Sequence, residues 1–219
     1  MSVRDAVIEG IATAFLLVAI VGSGIMAERL SGGNAALALL ANAIATGGAL
    51  FALIVAFASR CGAHMNPLVT VMACACGVFR WRDAPAHIVA QIAGAIAGVW
   101  LAHRMFDLPI LALGSHVRTG PGQWLAEAVS TFGLLAVIRG ASTYGIPAVA
   151  AAVAAYITGA YWFTSSTSFA NPAVTIARAL TDSFAGIHPE DAPAFIVAQC
   201  AGLALALPVL RSRKLAQPT

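Results

Sequence analysis

The chain has 219 residues, 60% of them hydrophobic and only 10% charged, with a formal net charge of +3. Globular domains average about a quarter charged residues, so a mean hydropathy of +0.86 points to one integral-membrane domain covering residues 1–219. A weak positive balance without a basic patch and interleaved aromatics excludes a nucleic-acid partner. A span needs roughly 20 apolar residues, which leaves room for about six helices with short loops.

In chain order, the first apolar run is Ala6–Ala27. With Arg4 ahead of it, it looks superficially like a signal peptide, but it is long enough to span and carries Glu9. It is therefore expected to be the first transmembrane helix. A turn at Glu28–Asn34 leads to a second helix, Ala35–Ala58, and a loop at Ser59–Met65. Asn66-Pro67 then opens a segment ending near Gly77, about eleven residues and too short to cross. Asn is a favoured N-cap and Pro suits the first helical position, so the predicted element is a half-helix. Arg80-Trp81-Arg82-Asp83 is an interfacial cluster. A third helix is predicted over Pro85–Arg104, followed by the longest connection, Met105–Gly122, outside the bilayer.

The second half repeats the plan. Helices are predicted over Gln123–Arg139, Ile146–Phe163 and Pro193–Leu210. Between the last two come a polar loop at Thr164–Ala170, a half-helix opened by Asn171-Pro172 and ending near Leu180, and a loop at Thr181–Ala192. Glu9, Thr13 and Leu16 recur at the same spacing as Glu127, Thr131 and Leu134. Pro85 to Gly94 matches Pro193 to Gly202 at eight of ten positions. Each repeat, about 6–104 and 123–210, holds an odd number of spans, so the two halves are inverted relative to each other. The fold class is therefore an all-α membrane protein of six transmembrane helices and two half-helices. With both termini on one side, that side holds Arg4, Arg60, Arg80, Arg82, Arg139, Arg211, Arg213 and Lys214, against Arg29, Arg104, Arg118 and Arg178 on the other. The bias places both termini in the cytoplasm.

Two half-helices entering from opposite faces bring their positive N-terminal ends to one midplane point. That field opposes cations, while the side-chain amides of Asn66 and Asn171 and the loop carbonyls before them can bond neutral solutes. Glu9 and Glu127 are intramembrane carboxylates, costly and therefore functional by default. His64 precedes the first motif and reads as a structural hydrogen-bonding group or a pH gate. Arg178 lies one turn past Val174. It either lines the outer vestibule or satisfies helix-end carbonyls or Asp182. His103 and His116 are expected to be solvated, and Tyr161 and Trp162 to be interface or packing groups, with a reach to the constriction just beyond Gly159 as the alternative. Cys61, Cys74, Cys76 and Cys200 lack disulfide spacing and read as small packing residues, with a thiol open to soft metals or metalloids as the alternative. No paired catalytic carboxylates, Ser/His arrangement or metal-ligand cluster appears, so neither an enzyme nor a metal or cofactor site is expected. The alternative function is an ion- or proton-coupled secondary transporter built on inverted repeats, with Glu9 and Glu127 as its candidate coupling groups.

The chain resembles the aquaporin and aquaglyceroporin family over essentially its whole length. The resemblance is carried by Gly62-Ala63-His64-Met65-Asn66-Pro67-Leu68-Val69-Thr70, by Asn171-Pro172-Ala173-Val174-Thr175, and by the paired Glu9 and Glu127. It implies a passive channel, a homotetramer with one pore per subunit, and a plasma-membrane (inner-membrane) location. It implies that Asn66, Leu68, Asn171 and Ala173 mark the pore midplane and that Glu9 and Glu127 buttress the loops. Counted from the motifs, the outer constriction falls on Thr46, Gly159, Ser168 and Val174. The family usually has an aromatic residue at the first of these positions and Arg at the last. Thr46 and Val174 therefore imply a wide, uncharged filter. Leu68 replaces a usual Ala and is expected to narrow or dry the midplane. The filter resembles that of a bacterial aquaglyceroporin branch associated with arsenic resistance. That likeness implies passage of water, glycerol-type polyols, arsenite and methylated arsenicals.

Overall fold

The computed structural model describes residues 3–210. The basic tail Arg211–Lys214, which contributes three residues to the charge bias, lies outside the described residues. Eight α-helices occur among the described residues: α1 (Val3–Leu30), α2 (Ala35–Cys61), α3 (Pro67–Ala75), α4 (Ala84–Met105), α5 (Pro121–Ala141), α6 (Ile146–Phe163), α7 (Pro172–Arg178) and α8 (Ala192–Leu210). Six are long and apolar enough to cross a membrane, whereas α3 and α7 are not. The spans keep large apolar side chains exposed, among them Ile11, Phe15, Ile44, Val89, Val129, Val197 and Leu205. In water that surface would be a liability, but in lipid it is the required solvent-facing surface.

Small residues set the helix pairings, as expected where lipid offers no hydrophobic drive between helices. A Cβ built on Gly94 of α4 would stand 2.1 Å from the Gly10 carbonyl oxygen of α1, and one on Gly98 2.3 Å from that of Ala14. In the second half, a Cβ built on Gly202 of α8 would stand 2.4 Å from the Ala128 carbonyl oxygen of α5. The pairs α1–α4 and α5–α8 are thus the same device used twice.

The predicted spans are recovered, with ends that differ by a turn or less. α1 continues to Leu30 and α2 to Cys61, where Gly62, at φ 94°, provides the left-handed cap. Asn34 caps α2 by accepting from the Leu37 amide at 3.1 Å. The long connection is tied to the loop after α7. Gly114 N–H donates to Ala179 (3.0 Å), His188 N–H to His116 (2.8 Å), and Arg118 N–H to Asp191 Oδ2 (2.7 Å). One expectation fails here. His103 is buried, not solvated, with Nδ1 3.1 Å from the Ile110 carbonyl and Nε2 2.8 Å from Thr181 Oγ1. It sits where α4 meets these loops, and its two ring nitrogens bond to one of them each.

Candidate conduction pathway

The two half-helices begin alike because their sequences dictate it. Asn66 (φ −156°, ψ 121°) and Asn171 (φ −160°, ψ 113°) are extended N-caps, each followed by Pro at the first helical position. Asn66 Oδ1 accepts from the Leu68 amide at 2.9 Å, and Asn171 Oδ1 from those of Ala173 and Val174 at 3.0 and 3.4 Å. The caps are also joined crosswise. Asn66 Nδ2 donates to the Ala170 carbonyl at 2.8 Å, and Asn171 Nδ2 to that of Met65 at 2.7 Å. Two positive helix ends are thereby pinned together. The approach loops adopt left-handed backbone at Ala63 and Met65, and again at Ser168 and Ala170, with φ between 45° and 51°. Non-glycine residues occupy that region at a cost, so something must hold them.

Glu9 and Glu127 do the holding. Glu127 Oε1 accepts from Ser166 Oγ (2.6 Å) and the Phe169 amide (2.9 Å), and its Oε2 from the Ala170 amide (2.9 Å) and Gln199 Nε2 (2.7 Å). Glu9 Oε1 accepts from the Met65 amide (2.5 Å) and Gln91 Nε2 (2.7 Å). Gln91 and Gln199 reach on to Thr70 and Thr175 at 3.0 and 2.9 Å. Both carboxylates are fully buried and neither lines the lumen.

A cavity of about 530 Å³ runs past the crossed caps. Its wall is mostly apolar: Leu16 and Ile20 of α1, Leu50 and Ile54 of α2, Leu134 and Ile138 of α5, and Val149, Val153 and Ile157 of α6. Polar groups enter at few places, including Asn66, Asn171, Thr46, Ser168, His64 and Arg178. Ser168 Oγ is buried with no hydrogen-bond partner. His64 Nδ1 is 3.1 Å from Thr70 Oγ1.

Three expected pore positions are not brought to the lumen. Leu68 turns away from it and packs with Met72, Leu135, Leu203 and Leu210, so it cannot narrow the midplane. Ala173 is buried behind the wall, with its amide committed to Asn171. Gly159 is also off the wall, and the α6 stripe that faces the lumen is Val149, Val153, Ile157 and Tyr161. At about 100° per residue, Gly159 points roughly 200° away from Tyr161. A Cβ there would meet only Phe163. Tyr161 takes the place expected for Gly159, with its hydroxyl 3.2 Å from Thr46 Oγ1.

A guanidinium also reaches this cavity. Arg178 is buried and lines the same cavity, its guanidinium 3.5 Å from the centroid of Phe169 and its Nε donating to the Ala185 carbonyl. Arg118 approaches that ring at 5.3 Å. Asp182 is not the partner of Arg178. It accepts from the Ser115 hydroxyl (2.6 Å) and amide (3.2 Å), bonds that hold its carboxyl below the ordinary range. Counting from the motif sets Tyr161 second to Gly159 and does not reach Arg118; the i, i+4 spacing from Val149 is the signal that selects Tyr161.

The model of the major intrinsic protein family matches residues 1–143. This chain is a major intrinsic protein. It is 50% identical over 208 residues to Aquaglyceroporin AqpS of Rhizobium meliloti (strain 1021), covering 95% of this chain and 89% of that one. It is 34% identical over 141 residues to Aquaporin NIP1-4 of Oryza sativa subsp. japonica, covering 62% of this chain and 49% of that one. The X-ray structure of the aquaglyceroporin from Plasmodium falciparum superposes with a TM-score of 0.73 at 20% identity, over 97% of each chain, which shows the shared fold. Major intrinsic proteins are membrane channels for small solutes, not enzymes.

Proposed function

We propose that this channel passes small neutral hydrogen-bonding solutes broader than water, together with water itself: glycerol-type polyols, arsenite and methylated arsenicals. The observation that carries the reading is the pair of crossed asparagine caps set in an otherwise apolar lumen. An apolar wall strips water from a solute, and only groups that can trade hydrogen bonds with the few polar positions cross cheaply. Ions cannot do so, and two helix N-termini oppose cations at the crossing. Thr46, Tyr161, Ser168 and Val174 form the outer constriction in this reading, and Arg178 stands one turn above it as a relocated cation barrier. Val174 supports a filter without a guanidinium in the narrow plane, and the relative called an aquaglyceroporin supports a polyol-sized passage. Glu9 and Glu127 act as loop buttresses, since Glu9 accepts from the Met65 amide, Glu127 from those of Phe169 and Ala170, and neither lines the lumen. We place the protein in the plasma membrane with both termini cytoplasmic, as one domain of two inverted repeats, assembled as a homotetramer.

Permeability of proteoliposomes to glycerol, arsenite and methylarsenicals tests this. Each is expected to equilibrate far faster than in empty vesicles. Fast water flux with none of these solutes crossing would overturn the solute assignment.

A further inference from the structure

The two repeats differ where they should be most alike. Counted back from each asparagine, His64 stands where Phe169 stands, and in the matched helix block His87 stands where Phe195 stands. The rings are arranged identically. Phe169 and Phe195 lie 5.2 Å apart at 73°, and so do His64 and His87. A space that two phenyl rings fill in one half is filled by two imidazoles in the other, beside a buried carboxylate. His87 Nε2 is 3.3 Å from Glu9 Oε1, and ligand atoms of Glu9, His64 and His87 all lie within 4.8 Å of one another. Glu9 Oε2 is buried with no hydrogen-bond partner.

We propose that Glu9, His64 and His87 bind a divalent transition ion of the zinc type, and that the bound ion obstructs the channel. Two imidazoles and a carboxylate form a donor set suited to Zn²⁺, Co²⁺ and Cu²⁺. A tetrahedral ion with bonds of about 2.0–2.1 Å holds its ligand atoms roughly 3.3 Å apart, which is the separation already present between Glu9 and His87. Outer partners are in place: Gln91 on Glu9, and Thr70 on His64, the kind of bonding that orients metal ligands. His64 is in the lumen wall, two residues before Asn66, so an ion entering from the side of the chain ends reaches it without passing the crossed helix N-termini. His64 is the member of the cluster that lines the lumen, so the bound ion is linked to the lumen wall through it. An ion there puts charge in a wall that is otherwise apolar. The inference does not depend on which solute the channel carries.

The test is titration of the purified wild-type protein with Co²⁺, followed by Zn²⁺ competition and stopped-flow water permeability with and without Zn²⁺. A tetrahedral Co²⁺ absorption band of one-to-one stoichiometry, displaced by Zn²⁺, is expected. His87→Phe copies the packing of Phe195, so it is expected to keep metal-free permeability while losing the band and at least about tenfold in Zn²⁺ affinity. Zn²⁺ is expected to lower flux several-fold in the wild type and not in His87→Phe. If that variant does not fold, His87→Gln serves the same comparison. Absence of the band in the wild type overturns the proposal, as does a band unchanged by the substitution or bound Zn²⁺ without effect on flux.

Discussion

Glu127 accepts hydrogen bonds from Ser166, Phe169, Ala170 and Gln199, whereas Glu9 accepts from Met65 and Gln91 and has His87 Nε2 3.3 Å from its Oε1. The two carboxylates sit at equivalent places in the two repeats, and both hold a left-handed loop ahead of an asparagine cap. In the second half Ser166 adds a hydroxyl donor and phenyl rings close the space behind. In the first half Cys61 stands in the place of Ser166 and sends its thiol to the Phe57 carbonyl, and imidazoles replace the phenyls. The backbone plan is thus shared, and the side-chain chemistry is not. Both oxygens of Glu127 are occupied, whereas Glu9 Oε2 has no hydrogen-bond partner.

That asymmetry sets the order of expected effects. Glu127→Ala leaves buried donors on Ser166, Phe169, Ala170 and Gln199 unmet. At about 1–3 kcal/mol for each unsatisfied group, it should cost most or all of the folded channel. Glu9→Ala strands fewer donors and should cost less. Thermal unfolding in detergent ranks the two, and equal losses would break the comparison. Gly94→Ala and Gly202→Ala come next, since each forces a methyl against a carbonyl oxygen. About 1–3 kcal/mol apiece is expected from overpacking, and here the halves should respond alike.

Both half-helices and the inverted plan were legible in the sequence, because Asn-Pro specifies a cap and a first helical turn locally and the repeat shows it twice. The matched Gly94 and Gly202 were legible for the same reason. The lumen face of α6 was not. Gly159 was reached by counting across the loop Thr164–Ala170, and counting through an irregular loop does not fix the rotation of the helix before it. The Glu9–His64–His87 cluster is drawn from three separate elements. Its trace was one of the two mismatches in the ten-residue repeat block, His87 against Phe195.

Smaller effects probe the outer constriction, which has no counterpart in the other half. Val174→Arg should reduce glycerol flux at least several-fold while sparing water, as read by stopped-flow light scattering; unchanged glycerol flux would place the constriction elsewhere. Tyr161→Phe removes only the hydroxyl facing Thr46. It should change glycerol permeability by less than Val174→Arg does, with the fold intact because the ring remains.

The most direct test of the central claim is the concentration dependence of glycerol entry into wild-type proteoliposomes, measured with and without a proton gradient. A passive lumen past two crossed caps requires fast entry that rises linearly with concentration and ignores the gradient. Entry that saturates and follows the proton gradient would contradict it and make Glu9 and Glu127 coupling groups instead of anchors.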